Sequence, residues 1–567
     1  MKRLAATAAV LALAAPASAE AAAWNATTLG NGPWFGTAVE IDASGTALIA
    51  GSGSFRAPRL WLRPDDGAPA PLAAPAGLEG YVHDLALNRH GTAVVAAAGQ
   101  RPHPLKVSVR EARREFGPAV ELPNPDGMVQ AVDVAVGDDG TAAVVWRSFG
   151  EGGETDHVRA AVRPAGGAFS APVEIAASSS PAQFGGPPQV AVGPDGRVEV
   201  FFSRDRRIQR ALRPAGASAF QPPQTIRTTS RDNRVRDLAL DTDLEGRAVL
   251  VYDDGIPGTR FNGLWALRRS GADGAFGAPD EIARTNDEEL LPEVAVMPDG
   301  GALVAYRQER YRGRDPYGHL VLRARRALGT GPFGRDQTVS ATEVVRRSTR
   351  GRDVAWLALD VNARGEAVLG WTATCTACGD VAWSAVAAAG GRFRTPQVLS
   401  APGYRIAPIA VGLAPDGDAI ATWAESPGLF SRRARLRLAT ATRLPGAGLD
   451  ALDRRPASGR LSVRGADVRA AVRTGRLPVR VRCSEACGAT VSLPGVVWKV
   501  LGFDASQVSR RLILDGAGSG RVTIRFRKRS HRRALAKVIR RGPVAVRALL
   551  SDRAGNLTQV QVRVRVP

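Results

Sequence analysis

Apolar positions in the first three-quarters of the chain follow one arrangement, repeated eight times. Each copy opens on a short apolar run, passes through a tight polar turn ending in glycine, and continues into an alternating stretch. The turn glycines are Gly45, Gly91, Gly140, Gly196, Gly246, Gly300, Gly365 and Gly417, spaced 46 to 65 residues apart. Copy three shows the parts. Val134-Ala135-Val136 is uniformly apolar, Gly137-Asp138-Asp139-Gly140 is the turn, and Thr141 to Trp146 is the second element. Glycine at this place suits the positive φ of a tight hairpin. Six residues past the glycine stands an aromatic in copies three to eight: Trp146, Phe202, Tyr252, Tyr306, Trp371 and Trp423. A third stretch, Val158 to Val162, leads into a glycine-rich turn. A Phe then precedes an aliphatic by six residues, as in Phe169 and Ile175 or Phe276 and Ile282.

Four strand signals per period, at a period of this size, predict a β-propeller with one four-stranded blade per copy. Eight glycine anchors predict eight blades. Seven is the alternative, because copies one and two lack the aromatic. The last copy has a third strand near Arg435 to Ala439 but no fourth, and Trp24 to Leu29 is predicted to supply it. Pairing the first segment with the last leaves no open edge. The longer connections, between second and third strands and between blades, leave the ring on one face. Loops on a rigid scaffold are where binding residues usually sit, so a ligand is expected there. The carboxylates offered are Asp156, Asp253, Asp254, Glu309, Asp315 and Glu425.

Beyond the repeats the pattern changes. Gly446 to Gly459 reads as a linker, and residues 460–567 as a second all-β domain. In Pro478 to Cys483, Arg521 to Arg527 and Gln559 to Val566, apolar residues alternate with arginine, which predicts sheets with one buried and one basic face. Ser530 to Arg541 reads as a short basic helix. Residues 1–19 have the basic start, apolar run and Ala17-Ser18-Ala19 site of a secretory signal. This places the propeller at 20–445 and predicts a secreted protein, with an envelope-associated location as a variant. No transmembrane segment is expected.

Charge sharpens the division. The chain carries a net +22, yet residues 460–567 hold 24 lysines and arginines against 5 acids, so the repeat region is close to neutral. Arg480, Arg482, Arg525, Arg527, Arg563 and Arg565 form a candidate site for anionic envelope polymers or acidic glycans. Specific nucleic-acid recognition is not expected, because Trp498, Phe503 and Phe526 do not interleave with the arginines as a stacking platform requires. The four cysteines fall in two local pairs, Cys375 with Cys378 and Cys483 with Cys487, which favours disulfides in an exported chain.

Two resemblances follow from named residues. Gly193-Pro194-Asp195-Gly196, Met297-Pro298-Asp299-Gly300 and Ala414-Pro415-Asp416-Gly417 resemble the WD40-like and Pro-Asp-rich propeller repeats of secreted bacterial proteins. Asp552-Arg553-Ala554-Gly555-Asn556 resembles the closing turn of bacterial Ig-like sandwiches. The first resemblance implies architecture, not activity, since such propellers bind, scaffold or catalyse. No catalytic motif was found. The expected function is a non-enzymatic binding or scaffold protein, with a protein partner on the propeller face as one use. The alternative is a glycan-acting hydrolase or lyase working through loop-face carboxylates. No cofactor is expected beyond a candidate calcium loop at Asp241, Asp243 and Glu245, in a turn read as two residues longer than its counterparts.

Overall fold

In a computed structural model, the described residues are 24–441 and 458–566, with breaks at 32–33, 54–56, 66, 100–103, 126, 151–154, 180–183, 230–234, 236, 256–261, 286–289, 311–317, 341–342, 346–355, 376–378, 395, 401–404, 427–434, 485–486, 494–509, 515–517, 527–528, 541 and 553–556. The signal segment, nearly all of the linker, Asp315, Arg527, Cys378 and most of the Asp552–Asn556 turn lie outside them, as do the side chains of Glu309, Cys375 and Cys487.

The chain to Ala441 is a β-propeller built from antiparallel sheets of four strands. Seven sheets run in sequence order, from the one starting at Trp34–Ile41 to the one starting at Leu357–Val361. The sixth carries an extra short strand, Glu343–Val345, beside Gly318–Ala327. The eighth sheet mixes the two ends of the domain. Its strands are Arg405–Leu413, Ala419–Ser426, Arg435–Ala441 and then Asn25–Asn31. Thr27 stands opposite Leu438, and Thr28 opposite Arg437. This is the closure expected from the missing fourth strand. A hydrogen bond from Thr37 Oγ1 to Thr422 Oγ1, at 2.8 Å, joins the first sheet to the eighth.

The repeated glycine does the same work eight times. At each of the eight positions φ lies between +71° and +97°, and the glycine N–H donates to the carbonyl three residues earlier. A side chain is strained in that region of φ. Beyond the turn, the second strand enters the space between neighbouring sheets. The aromatics Trp146, Tyr252, Tyr306 and Trp423 are fully buried there. Their clusters combine residues of adjacent sheets, as when Trp146 packs with Val94 and Leu105. The cores of the propeller therefore lie between sheets, not within one.

The described part of residues 458–566 has its own core. One sheet has the order Gly459–Ser462, Arg476–Cys483, Gly518–Arg525. The other has the order Arg510–Leu514, Cys487–Ser492, Val544–Asp552, Leu557–Val564. Leu477, Val479, Val481 and Ile524 from the first sheet share a cluster with Val491, Val544, Val546 and Leu550 from the second. Two helices complete it: α1 (Gly465–Thr474), which contributes Val468 and Ala471, and α2 (Arg529–Ile539), which contributes Leu535 and Val538. The basic helix expected near residues 530–541 is thus α2, while α1 is an addition to the expected all-β module. Cys483 is buried and disulfide-bonded. No helix of the described residues is long and apolar enough to cross a membrane.

Candidate functional site

The first strand of each of the first seven sheets carries a polar residue an odd number of positions before the turn glycine, and so on one side of the strand. In the first seven sheets these are Glu40, Asp84, Asp133, Gln189, Asp241, Glu293 and Asp360. Six of them, from Glu40 to Glu293, line a cavity of about 520 Å³ enclosed by the first strands of six consecutive sheets. The cavity reaches the glycine turns at Asn88, Asp138, Pro194 and Asp243.

Most of these polar groups stitch one sheet to the next. Val134 N–H donates to Asp84 Oδ2 at 2.9 Å, Val190 N–H to Asp133 Oδ2 at 2.6 Å, and Val296 N–H to Asp241 Oδ2 at 2.7 Å. Leu413 N–H donates to Asp360 Oδ2 at 2.6 Å, and Leu240 N–H to Gln189 Oε1 at 3.3 Å. In every case the acceptor belongs to one sheet and the donor to the next. Asn88 and Asn362 repeat the theme with donors reversed, reaching the carbonyls of Gly137 and Ala414.

Burial disfavours the charged form of these carboxyls. Burial pushes Asp84 up to about 6 and Asp241 up to about 7, against the backbone donors that favour the anion. Asp133 is also raised by burial, and it hydrogen-bonds to Asp84. Burial raises Glu40 well above the usual carboxylate range, and the charges of Asp360, Asp84 and Asp241 add to the effect. Glu293 is pushed up to about 8 by burial alone. Unlike the aspartates, neither Glu40 nor Glu293 hydrogen-bonds through its side chain to any described residue.

The loop-face carboxylates expected to meet ligand are employed otherwise. Asp156 is fully buried and takes a bidentate contact from Arg147, with Nη2 at 2.6 Å and Nε at 3.0 Å. Glu425 is buried 3.6 Å from Arg437. Asp253 is buried and accepts the Asp237 N–H at 2.9 Å, and Asp254 is buried beside it. Their positions at the ends of second and third strands put them between sheets, where desolvation demands partners.

The candidate calcium residues do not converge on one point. Asp241 points inward to the Val296 N–H, while Arg247 pairs with both Asp243 and Glu245. The turn is also no longer than the others, since Asp243 N–H donates to Arg247 O just as Gly137 N–H donates to Thr141 O. Among the described residues, the one trio of carboxylates close enough to share a cation is Asp65, Asp416 and Asp418, within 4.8 Å. Arg63 already lies 4.0 Å from Asp418.

Sequence reasoning missed a second repeated group. Arg63, Arg110, Arg163, Arg213 and Arg269 end the third strands of the first five sheets. Arg269 is buried and grips Glu199 of the preceding sheet at 2.8 and 2.7 Å. Arg163 reaches Glu111 at 2.5 Å in the same sense. The signal was available, because arginine recurs at one place in the repeat.

The arginine face of the second module is present and larger than expected. Arg480 and Arg482 lie on Arg476–Cys483, and Arg525 on Gly518–Arg525, all exposed. The register adds three more on the same face. Arg460 stands opposite Arg482, Arg521 opposite Arg480, and Arg476 opposite Arg525. Val479, Val481, Val522 and Ile524, at the alternate positions, are buried. None of the six arginines makes a side-chain hydrogen bond or ion pair with a described residue. Arg563 and Arg565 are exposed but belong to the end of Leu557–Val564 and the residue after it, in the other sheet.

No protein-family model matches the chain, and no curated protein matches it. Among solved structures it is similar to the BP39L lectin from Burkholderia pseudomallei, at 14% identity over 65% of this chain and 100% of that one, with a TM-score of 0.42. It is also similar to a PL25 polysaccharide lyase, an ulvanlyase, at 11% identity over 73% and 95% of the two chains, with a TM-score of 0.39. An α-L-arabinofuranosidase from Fusarium graminearum matches at 11% identity over 56% and 94%, with a TM-score of 0.33. None of these likenesses carries an argument about what this chain binds or does.

Proposed function

We propose that the protein is an exported, non-enzymatic binding protein. An eight-bladed propeller serves as scaffold, and a basic Ig-like module engages anionic polymers. The blade count rests on the eight sheets and on the pairing of Asn25–Asn31 with Arg435–Ala441. The Ig-like assignment draws support from strand order. Lettered A to G along the chain, the strands run A-B-E in one sheet and D-C-F-G in the other, with the fourth strand on the C-F-G side. The secretory segment and the oxidised Cys483 agree with export.

The observation that carries the function is the arginine face. Like charges directly opposite across a sheet are destabilising. Six exposed arginines in three such pairs, without a carboxylate paired to them among the described residues, form a surface suited to an anionic partner. The full mature chain should be retained on a polygalacturonate resin at low salt and released at high salt. Replacing the six arginines by glutamine should abolish retention while the fold persists. Retention that survives the six substitutions would refute the assignment.

A second reading, a glycan-acting hydrolase or lyase, draws on one observation. Glu293, at about 8, would hold a proton in an enclosed cavity at neutral pH, as a general acid must. It lacks a complement, since none of the other cavity carboxyls described above is held low, as an ionised base or nucleophile requires. Reducing-end release from a panel of polysaccharides, abolished in Glu293→Gln, would favour this reading over the first.

A further inference from the structure

We infer that the arginine face is shaped for an extended, open-chain phosphodiester polymer of the polyol-phosphate kind, bound along the strands of its sheet. This rests on the anionic-polymer reading above and asks which polymer fits.

The six arginines form three rungs, each made of two guanidinium groups on adjacent strands. Arg460 with Arg482 is the first, Arg480 with Arg521 the second, and Arg476 with Arg525 the third. Strand geometry sets their positions. Residues two apart on a strand are about 7 Å apart, so along the strands the second rung lies about 7 Å from the first and the third about 13 Å further on, while the first rung, shared by Gly459–Ser462 and Arg476–Cys483, is offset sideways by about 5 Å from the other two, shared by Arg476–Cys483 and Gly518–Arg525. Within a rung the two arginines start from Cα atoms about 5 Å apart, close enough to flank one phosphate from both sides. Between the second and third rungs the outward residues are Pro478 and Thr523, which carry no charge.

The ligand must therefore present charges spaced along the strands at about 7 Å, or a multiple of it, on a path flexible enough to cross the central strand between the first and second rungs. A peptide spans up to about 3.5 Å for every three backbone bonds. A chain with six backbone bonds per repeat thus extends to about 7 Å. A phosphodiester joined through a three-carbon polyol has that count: phosphorus, oxygen, three carbons, oxygen. Successive phosphates would meet the first and second rungs, one would pass the uncharged Pro478–Thr523 position, and the next would meet the third. Polyuronates carry their charge on rigid rings and cannot adjust their repeat in this way. Single-stranded nucleic acid has a similar backbone count, but its bases need stacking partners. Phe526, the one described aromatic of the module, is buried in the core.

The test compares the full mature chain with poly(glycerol phosphate), polygalacturonate and oligothymidylate at matched charge concentration. Poly(glycerol phosphate) should bind at least about tenfold more tightly than either competitor, as expected when paired charge-assisted contacts are in register. The double variant Arg480→Gln/Arg521→Gln should lose that preference and lower the salt slope by about one, whereas Arg563→Gln/Arg565→Gln should change neither. Arg480→Lys/Arg521→Lys keeps the charge and removes the fork geometry, so it too should lose preference while retaining salt-sensitive binding. Equal affinity for all three polymers would overturn the phosphodiester assignment and leave the anionic-polymer reading standing. Binding to none would overturn both. A preference undiminished in Arg480→Gln/Arg521→Gln, or lost in Arg563→Gln/Arg565→Gln, would overturn the register argument.

Discussion

Single side chains hold the ring together across its sheet boundaries. Arg269 and Glu199 are the clearest case, a buried bidentate pair between the fourth and fifth sheets. Removing one partner leaves an unpaired buried charge, which costs about 3–5 kcal/mol. Arg210 remains 3.2 Å from Glu199, so Arg269→Ala should fall near the low end, about 3 kcal/mol, as read from urea midpoints. A loss below about 0.5 kcal/mol would place the pair among weak surface contacts instead. The arginine half of this device was legible, because Arg63, Arg110, Arg163, Arg213 and Arg269 share one position in the repeat. The acidic half was not. Glu111, Glu199 and Asp418 stand at unrelated positions, and only the packing of neighbouring sheets brings them within reach.

At the scale of elements, the strand Asn25–Asn31 is the informative one. Five of its seven residues are exposed, yet it covers the outer edge of Arg435–Ala441, while Leu29 and Trp24 pack on the clusters at the closure. A chain lacking residues 24–31 should show a melting temperature several degrees lower, and concentration-dependent light scattering from the uncovered edge. An unchanged melting temperature would mean that closure rests on the first and eighth sheets alone. Strands and turns were readable because alternation and the repeated glycine are local signals. Helix α1 was also readable in principle. Val468, Ala471 and Val472 have helical spacing, and Gly475 ends the run in the left-handed region with its N–H on Ala471 O. The surrounding alternation of valine and arginine concealed it.

For the whole molecule, the ring of enclosed carboxyls predicts how stability responds to pH. Asp84 at about 6, Asp241 at about 7 and Glu293 at about 8 are raised above their ordinary values of 3.8, 3.8 and 4.5. The folded propeller thus holds protons that the unfolded chain releases. Stability is fully present at acid pH and declines as pH rises from about 4 to about 8, after which these groups contribute no further change. The rise of Glu293 from 4.5 to about 8 corresponds to at most about 5 kcal/mol, so thermal unfolding should occur a few degrees lower at the alkaline end of that window. Glu293→Gln should flatten the profile. A melting temperature that rises across the same window would contradict the assignment of these groups as protonated.

What the sequence determined by itself was the repeat: strand, glycine turn, strand, with the same polar and apolar alternation at each pass. Those are local properties, set by backbone sterics and by the two-residue period of a strand. It also determined the division of charge between the two regions. The tertiary structure decided the use of the polar groups. Asp156 and Glu425 were expected to meet a ligand on the loop face and are buried partners of arginine, because the ring closes their ends of the strands against neighbouring sheets. Asp241 looked like a calcium ligand and became an acceptor for the next sheet. The arginines were expected on one basic face, and cross-strand register decided which of them share it, pairing Arg460, Arg476 and Arg521 with Arg482, Arg525 and Arg480 and leaving Arg563 and Arg565 in the other sheet. Register and closure are relations between residues far apart in the chain, so spacing within one segment could not reveal them.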